Sequence, residues 1–411
     1  MTLRSVSAGG PRPKAAEGTG CGHNCTVTSR ETASSAPIRV LWLIKGLGPG
    51  GAEQLLLSSA EVADHDAFDY DVAYVRPDKD HLVQPLRDLG VDVYRLGESD
   101  RWLTDLRGRL GDYDIVHVHS PLLAGAVRLL VRALPRSSRP AIVSTEHNVW
   151  SNFSRPTRLL NAVTGGMDDK RWAVSGEVKR SMWPRLAQRT EVLRHGINLG
   201  TTLPPASSRA ETRQRLGIAM DAPVVICVAN LRKEKDYPNL MRAAHQVLEQ
   251  EPAAVFLAVG QGPLEAELNE LHSSMSLGDR FRFLGYREDV RELLSAADVF
   301  ALGSLQEGLP VAIMEALQLS LPIVATDVGG VSEAVTSDVN GFLVPPGDDA
   351  ALASSILTVL QDPDLRHRLG AASRARASDF DIRTTVALEE AAYKRLVDGP
   401  LISPASRGDR D

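Results

Sequence analysis

The chain has 411 residues, 24% of them charged and 43% hydrophobic, and its net charge is −6. That length suits two or three domains with sizeable cores, and the acidic balance excludes a broad nucleic-acid-binding surface. Three cysteines are too few for a disulfide framework and suit a reducing cytoplasm; no apolar run is long enough to cross a membrane, and residues 1–20 hold no apolar signal-peptide core.

Residues 1–36 are rich in Gly, Ala, Ser, Thr and Pro and poor in large apolar side chains, so they are expected to form a disordered tail. Within it Cys21, His23 and Cys25 offer only three metal ligands, and no metal is expected there. Order is expected from residue 37, with a strand over Val40–Ile44 and a helix over Gln54–Val62. Between them KGLGPGGAE, residues 45–53, places Gly46, Gly48 and Gly51 in the G-x-G-x-x-G spacing of a dinucleotide loop. An NAD-dependent oxidoreductase is therefore one rival. It needs an acidic residue after the second strand, expected over Tyr70–Val75, and the nearest is Asp78, beyond Arg76-Pro77. Further strands are expected at Val91–Leu96, Asp114–His119, Ala141–Thr145, Arg171–Val174 and Val192–Leu193, with a helix starting at Ser120-Pro121. Such strand–helix alternation implies a parallel sheet whose ligands sit beyond the carboxyl ends of the strands. His119 and His147 both fall at such ends, so both are expected to face one crevice.

Residues 200–210, GTTLPPASSRA, have the composition of a linker. A second series follows: strands over Val224–Ala229, Ala254–Val259, Phe281–Leu284, Ala297–Leu302, Pro322–Thr326 and Phe342–Val344, and helices near Pro238–Glu249, Ala350–Leu360 and Thr384–Val397. A basic loop, Leu231–Asp236, follows the first of these strands. The stretch ADVFALGSLQEGLPVAIMEAL, residues 297–317, reads as strand, loop and helix start, with Pro310 as the first helical residue. That geometry aims free backbone N–H groups at an anion. Glu307 lies in the loop, and Glu315 interrupts an apolar helical segment, where a carboxylate needs a partner such as ribose hydroxyls.

The motifs EGLPVAIMEAL (307–317), GGAE (50–53), DIVHVHSP (114–121), AVSGEV (173–178), HGINL (195–199), VGGVSEAV (328–335) and GFLVPPG (341–347) together resemble the retaining nucleotide-sugar glycosyltransferases of family 4. The resemblance implies an α/β GT-B fold: two Rossmann-like domains with parallel sheets facing across a deep cleft. It also implies an acceptor-side domain over 37–200, a nucleotide-sugar domain over 201–383, a C-terminal helix over 384–398 packing back on the first domain, and a frayed tail over 399–411. The implied catalytic residues are His119, Lys235 and Glu307. Gly50, Gly51, Arg232, Lys235, Gly308, Leu309, Pro310 and Glu315 would bind the donor, and His147 would lie on the acceptor side. One departure is Asn230, where the family usually has an arginine five residues before the lysine; Arg232 is expected to supply that charge.

The resemblance implies transfer of a sugar from a nucleoside diphosphate, most often uridine diphosphate, to an acceptor hydroxyl with retained configuration. No cofactor is implied, since the nucleotide sugar is a substrate, and no metal. The Asp-x-Asp triplets at Asp69–Asp71 and Asp112–Asp114 precede strands rather than end them, and no G-x-S-x-G elbow of a serine hydrolase occurs. The partners are a nucleotide sugar and a saccharide, lipid-linked or small-molecule acceptor, without nucleic acid. A lipid-linked acceptor would add peripheral contact with the membrane, although no strongly basic amphipathic helix stands out. A further alternative is a catalytically weak family member serving as a complex partner.

Overall fold

In the computed structural model residues 36–97, 101–200 and 207–399 are described. The tail with its Cys21, His23 and Cys25 cluster, the linker centre at 201–206 and residues 400–411 lie outside them.

Two parallel sheets organise the chain. The first contains β1 (Ile38–Ile44), β2 (Phe68–Tyr74), β3 (Asp92–Arg95), β4 (Ile115–Val118), β5 (Ala141–Glu146), β6 (Lys170–Ala173) and β7 (Glu191–Val192), in the order β3-β2-β1-β4-β5-β6-β7. The second contains β8 (Val224–Val228), β9 (Val255–Val259), β10 (Phe281–Phe283), β11 (Val299–Leu302), β12 (Ile323–Thr326) and β13 (Gly341–Val344), in the order β10-β9-β8-β11-β12-β13. Every pairing is parallel; Leu41 of β1, for instance, lies between Asp71 of β2 and Val116 of β4.

The strands are continuous apolar runs because helices cover both faces. Successive side chains of β1 enter different cores: Val40, Trp42 and Ile44 pack in one cluster, Leu41 and Leu43 in another. Each such fully buried side chain contributes about 1.5–3 kcal/mol. Strand order reverses between β1 and β4 in the first sheet, and between β8 and β11 in the second. Loops diverge at such a reversal and leave a crevice at the carboxyl ends of the strands. The loops after β1, β4, β8 and β11 carry Gly50, His119, Lys235 and Glu307 respectively.

The final helix, Ile382–Asp398, opens two residues before its expected start because Asp381 caps the Arg383 N–H. It lies on the first sheet's core, where Ala392 and Tyr393 join the cluster around Trp42 and Tyr70. Residues 207–210, expected as linker, are instead the start of a helix, Ser207–Arg215. Its buried anchor is polar. Arg213 is fully buried, donates to the Ala296 and Ala222 carbonyls and pairs with Asp298, so apolar patterning gives no sign of this helix. No helix among the described residues is long and apolar enough to cross a membrane.

Candidate active site

The site is built where the two sheets' strand ends meet. After β11 the chain turns through Gly303–Leu309 into the helix Val311–Gln318. Pro310 is the N-cap of this helix, not its first residue as expected. Its ψ of 117° is extended, so the helical turn begins at Val311. The proline ring fixes φ but leaves ψ free, which permits either position.

Glu307 is buried in this loop and accepts from Lys235 Nζ at 2.6 and 2.8 Å and from Ser304 Oγ at 2.7 Å. Lys235 closes a single 3-10 turn after β8, held by the left-handed Asp236 that follows (φ 42°). Lys235 and Glu307, both expected as catalytic residues, therefore neutralise each other here. Glu315 stands on the helix above them. Burial raises its carboxyl to about 7, opposed in part by the Arg291 charge, and its side chain has no hydrogen-bond partner among the described residues.

The first half supplies the opposite wall. Gly50 caps the helix Gly51–Ala60 with extended backbone, and Gly51 faces Val311 at the start of the second half's helix. Glu53 folds back over Gly50; burial raises its carboxyl, while the Lys79 and Arg232 charges lower it. Arg232 is half-exposed, with Glu234 at 4.0 Å, so its charge is present near the glycine loop but not fixed there. Gly308 is where the halves touch. A Cβ at that position would overlap the His147 carbonyl oxygen. Glu333 ties them again, accepting from the Gly176 N–H at 2.6 Å and pairing with Arg194 at 2.5 Å. The expected deep cleft is thus closed along this seam.

His119 Nδ1 and His147 Nε2 are 3.1 Å apart, and His147 stacks on His195 with ring centroids 5.5 Å apart. Burial lowers all three: His147 to about 4, His195 to about 3 and His119 well below the usual imidazole value. A hydrogen bond with the Leu309 backbone partly offsets this for His195. These rings are neutral near pH 7, and His119 Nε2 is buried without a partner. Behind them His117 hydrogen-bonds with Tyr393 Oη and Thr145 Oγ1, fixing the strand ends to the final helix.

Residue-by-residue motif reading did not single out Glu53, His195 or Glu333. All three lie in quoted motifs, GGAE, HGINL and VGGVSEAV, so the signal was present without an assigned role. The Asp-x-Asp triplets lie at the amino-terminal edge of the first sheet: Asp71 accepts from Tyr113 Oη, and Asp114 accepts from the Arg39 N–H.

Residues 49–201 match the family described as Glycosyltransferase Family 4, and residues 208–376 match Glycosyl transferases group 1. The D-inositol 3-phosphate glycosyltransferase of Geodermatophilus obscurus is 32% identical over 336 residues, 72% of each chain. The chain belongs to the family 4 glycosyltransferases. This glycosyltransferase is also 27% identical over 294 residues to the Escherichia coli UDP-Gal:alpha-D-GlcNAc-diphosphoundecaprenol alpha-1,3-galactosyltransferase, covering 68% of this chain and 72% of that one. Its fold is that of Anabaena HepE, solved in complex with UDP-glucose, with a TM-score of 0.77 at 23% identity over 86% of this chain and all of that one.

Family membership overturns the oxidoreductase alternative. The structure gives the glycines a different reason: the Lys79 side chain packs over Gly46 and Gly48, where a Cβ at Gly46 would lie 2.9 Å from Lys79 Cβ. Asp78, the rival's acidic residue, is exposed and paired with Arg76 at 2.5 Å.

Proposed function

We propose that this glycosyltransferase moves a hexosyl unit from a UDP-sugar to an acceptor hydroxyl, with retention and without a metal, in the assembly of a polysaccharide, glycolipid or other glycoconjugate. The observation that carries the donor assignment is Glu315, a half-buried carboxylate within the helix Val311–Gln318 that makes no hydrogen bond among the described residues. Adjacent ribose hydroxyls are the donors it lacks. The helix start at Val311, the glycine loop at Gly50–Gly51, which packs against it, and Lys235 are the groups that would hold the diphosphate. Gly308, Leu309 and Pro310 shape that turn. UDP is favoured because two similar proteins carry it in their names, the galactosyltransferase and HepE.

In the reaction the bond between the anomeric carbon and the phosphate oxygen breaks, and its electron pair stays on the departing diphosphate. The acceptor oxygen bonds to the same face of the sugar, and its proton passes to a leaving phosphate oxygen. Lys235 and the backbone donors stabilise the charge growing on the phosphate. Glu307, released by Lys235, takes the sugar hydroxyls. His119, neutral and buried, orients the reacting sugar rather than acting as a strong base, and His147 borders the acceptor. Arg232 adds charge near the phosphates in place of the absent arginine at Asn230.

A thermal-shift screen with UDP, GDP and ADP tests the donor. UDP is expected to raise the melting temperature most, and Glu315→Ala to remove the rise. No rise with any nucleotide would overturn the assignment.

A further inference from the structure

The first half carries a surface that the transfer reaction does not use. The helix Pro121–Arg132 crosses the helix Arg155–Thr164 where the missing side chain of Gly125 admits Leu160. Residues three or four apart share a helix face. Leu122 and Leu129 therefore lie one turn either side of that crossing, while Leu159 and Val163 flank Leu160 on the second helix. All four project outward, exposed by 49, 51, 59 and 70% respectively. Elsewhere the exposed large apolar residues are more scattered, as with Met220, Tyr286 and Val339.

The exposed charge within the two helices and the segment joining them has one sign. From Pro121 to Met167 the sequence contains six arginines and one acidic residue, Glu146, which is buried. Arg128 is buried against Asp168. Arg132, Arg136 and Arg155 are exposed and Arg158 is partly so, and these four make no ion pair among the described residues. This cationic rim stands on a chain whose net charge is −6. Apolar side chains projecting between arginines on a helix pair suit the boundary of an anionic bilayer, where the apolar groups enter the acyl region and the guanidinium groups meet phosphate. A protein partner of ordinary mixed charge has no such match to a one-signed rim.

We infer that the outer face of the helices Pro121–Arg132 and Arg155–Thr164 docks this glycosyltransferase on an anionic lipid surface. The face is tied to the site by chain connectivity. The first helix starts two residues after His119, and the second follows β5 and His147. A docked molecule thus presents its acceptor-side strand ends near the lipid. Only that orientation rests on the acceptor-side reading of the histidines; docking itself rests on the surface.

Sedimentation with lipid vesicles tests it, using phosphatidylcholine alone and phosphatidylcholine mixed with phosphatidylglycerol. The full chain is expected to pellet with the mixed vesicles at low salt, and far less with neutral vesicles or at high salt. Arg155→Glu with Arg158→Glu is expected to weaken binding more than about 25-fold, from about fivefold for each arginine removed. Leu159→Ser with Val163→Ser is expected to weaken it at least about tenfold. Both variants should keep the melting temperature and the UDP-induced rise, which separates failed docking from a failed donor assignment. No binding by the unaltered chain, equal binding by the variants, or a dimer seen by light scattering that the Ser variant dissociates would overturn the inference.

Discussion

Glu315→Gln should make the free protein more stable while making it a poorer donor binder. Burial raises the Glu315 carboxyl from 4.5 to about 7. The folded protein therefore holds this proton more tightly than the unfolded chain does. Stability falls as pH climbs from about 4.5 to about 7 and stays low above that. At about 1.36 kcal/mol per pH unit, the carboxylate withholds up to about 3 kcal/mol of folding free energy at alkaline pH. Glutamine has no proton to lose, so the variant escapes the fall. Its advantage should be absent near pH 4 and approach about 3 kcal/mol near pH 8.

Ligand binding should run the other way. A carboxylate holds ribose hydroxyls by charge-assisted bonds contributing about 1.5–3 kcal/mol, against about 0.5–1.5 for neutral ones. The variant should thus lose roughly tenfold in UDP affinity. Binding to the unaltered protein should tighten as pH rises through about 7, because the anion is the better acceptor. Urea unfolding of both proteins near pH 5 and pH 8, with UDP calorimetry at the same values, measures all of this. A glutamine variant no more stable than the parent at pH 8, or one binding UDP equally well, refutes the reasoning.

Lys235→Met leaves Glu307 buried with only Ser304 beside it, and should cost roughly 3–5 kcal/mol in urea unfolding. Adding Glu307→Gln should recover most of that. Gly308→Ala forces a Cβ against the His147 carbonyl, so small-angle scattering should show a larger radius of gyration and transfer should be lost; an unchanged scattering curve counts against this. Glu389, buried in the final helix beside Glu390, has its carboxyl raised to about 8, so stability should fall as pH rises from about 4.5 to about 8. Glu389→Gln should flatten that fall, as seen by thermal unfolding across the range.

The thirteen strands of the described residues were legible in the sequence to within two or three residues, because a parallel strand that buries side chains, as all but the exposed β7 do, is a short apolar run. Helices were less so. Ser207–Arg215 is anchored by Arg213, and Pro363–Arg376 by the Asp362 cap and three buried residues, Leu369, Gly370 and Ser373, so neither shows an apolar stripe. The placement of site residues at strand ends was legible too. The pairing of Lys235 with Glu307 was not: they are 72 residues apart and meet only because β8 and β11 are neighbours at the reversal of strand order. Gly308 was read as a donor-binding residue, yet its neighbour here is the backbone of His147, a contact between halves that local sequence cannot display.

Around Lys235, Glu307 and the histidines the free site carries little net charge, and that has a consequence for the donor. Lys235 is cancelled by Glu307, the rings of His119, His147 and His195 are neutral near pH 7, and Glu315 is near half-ionised there. A diphosphate arriving in this setting must draw Lys235 away from Glu307. Glu307 is then a buried carboxylate with a single remaining donor, Ser304 Oγ. Sugar hydroxyls can restore what the lysine gave; UDP alone cannot. The sugar nucleotide should therefore bind more tightly than UDP by about 1.5–3 kcal/mol, roughly ten- to a hundredfold. In Glu307→Gln that margin should shrink, since a neutral amide loses less when the lysine leaves. Calorimetry with UDP and UDP-glucose on both proteins decides it. Equal affinities in the unaltered protein would mean that Lys235 stays with Glu307 throughout, and that the diphosphate is held by the backbone donors of the two helix starts.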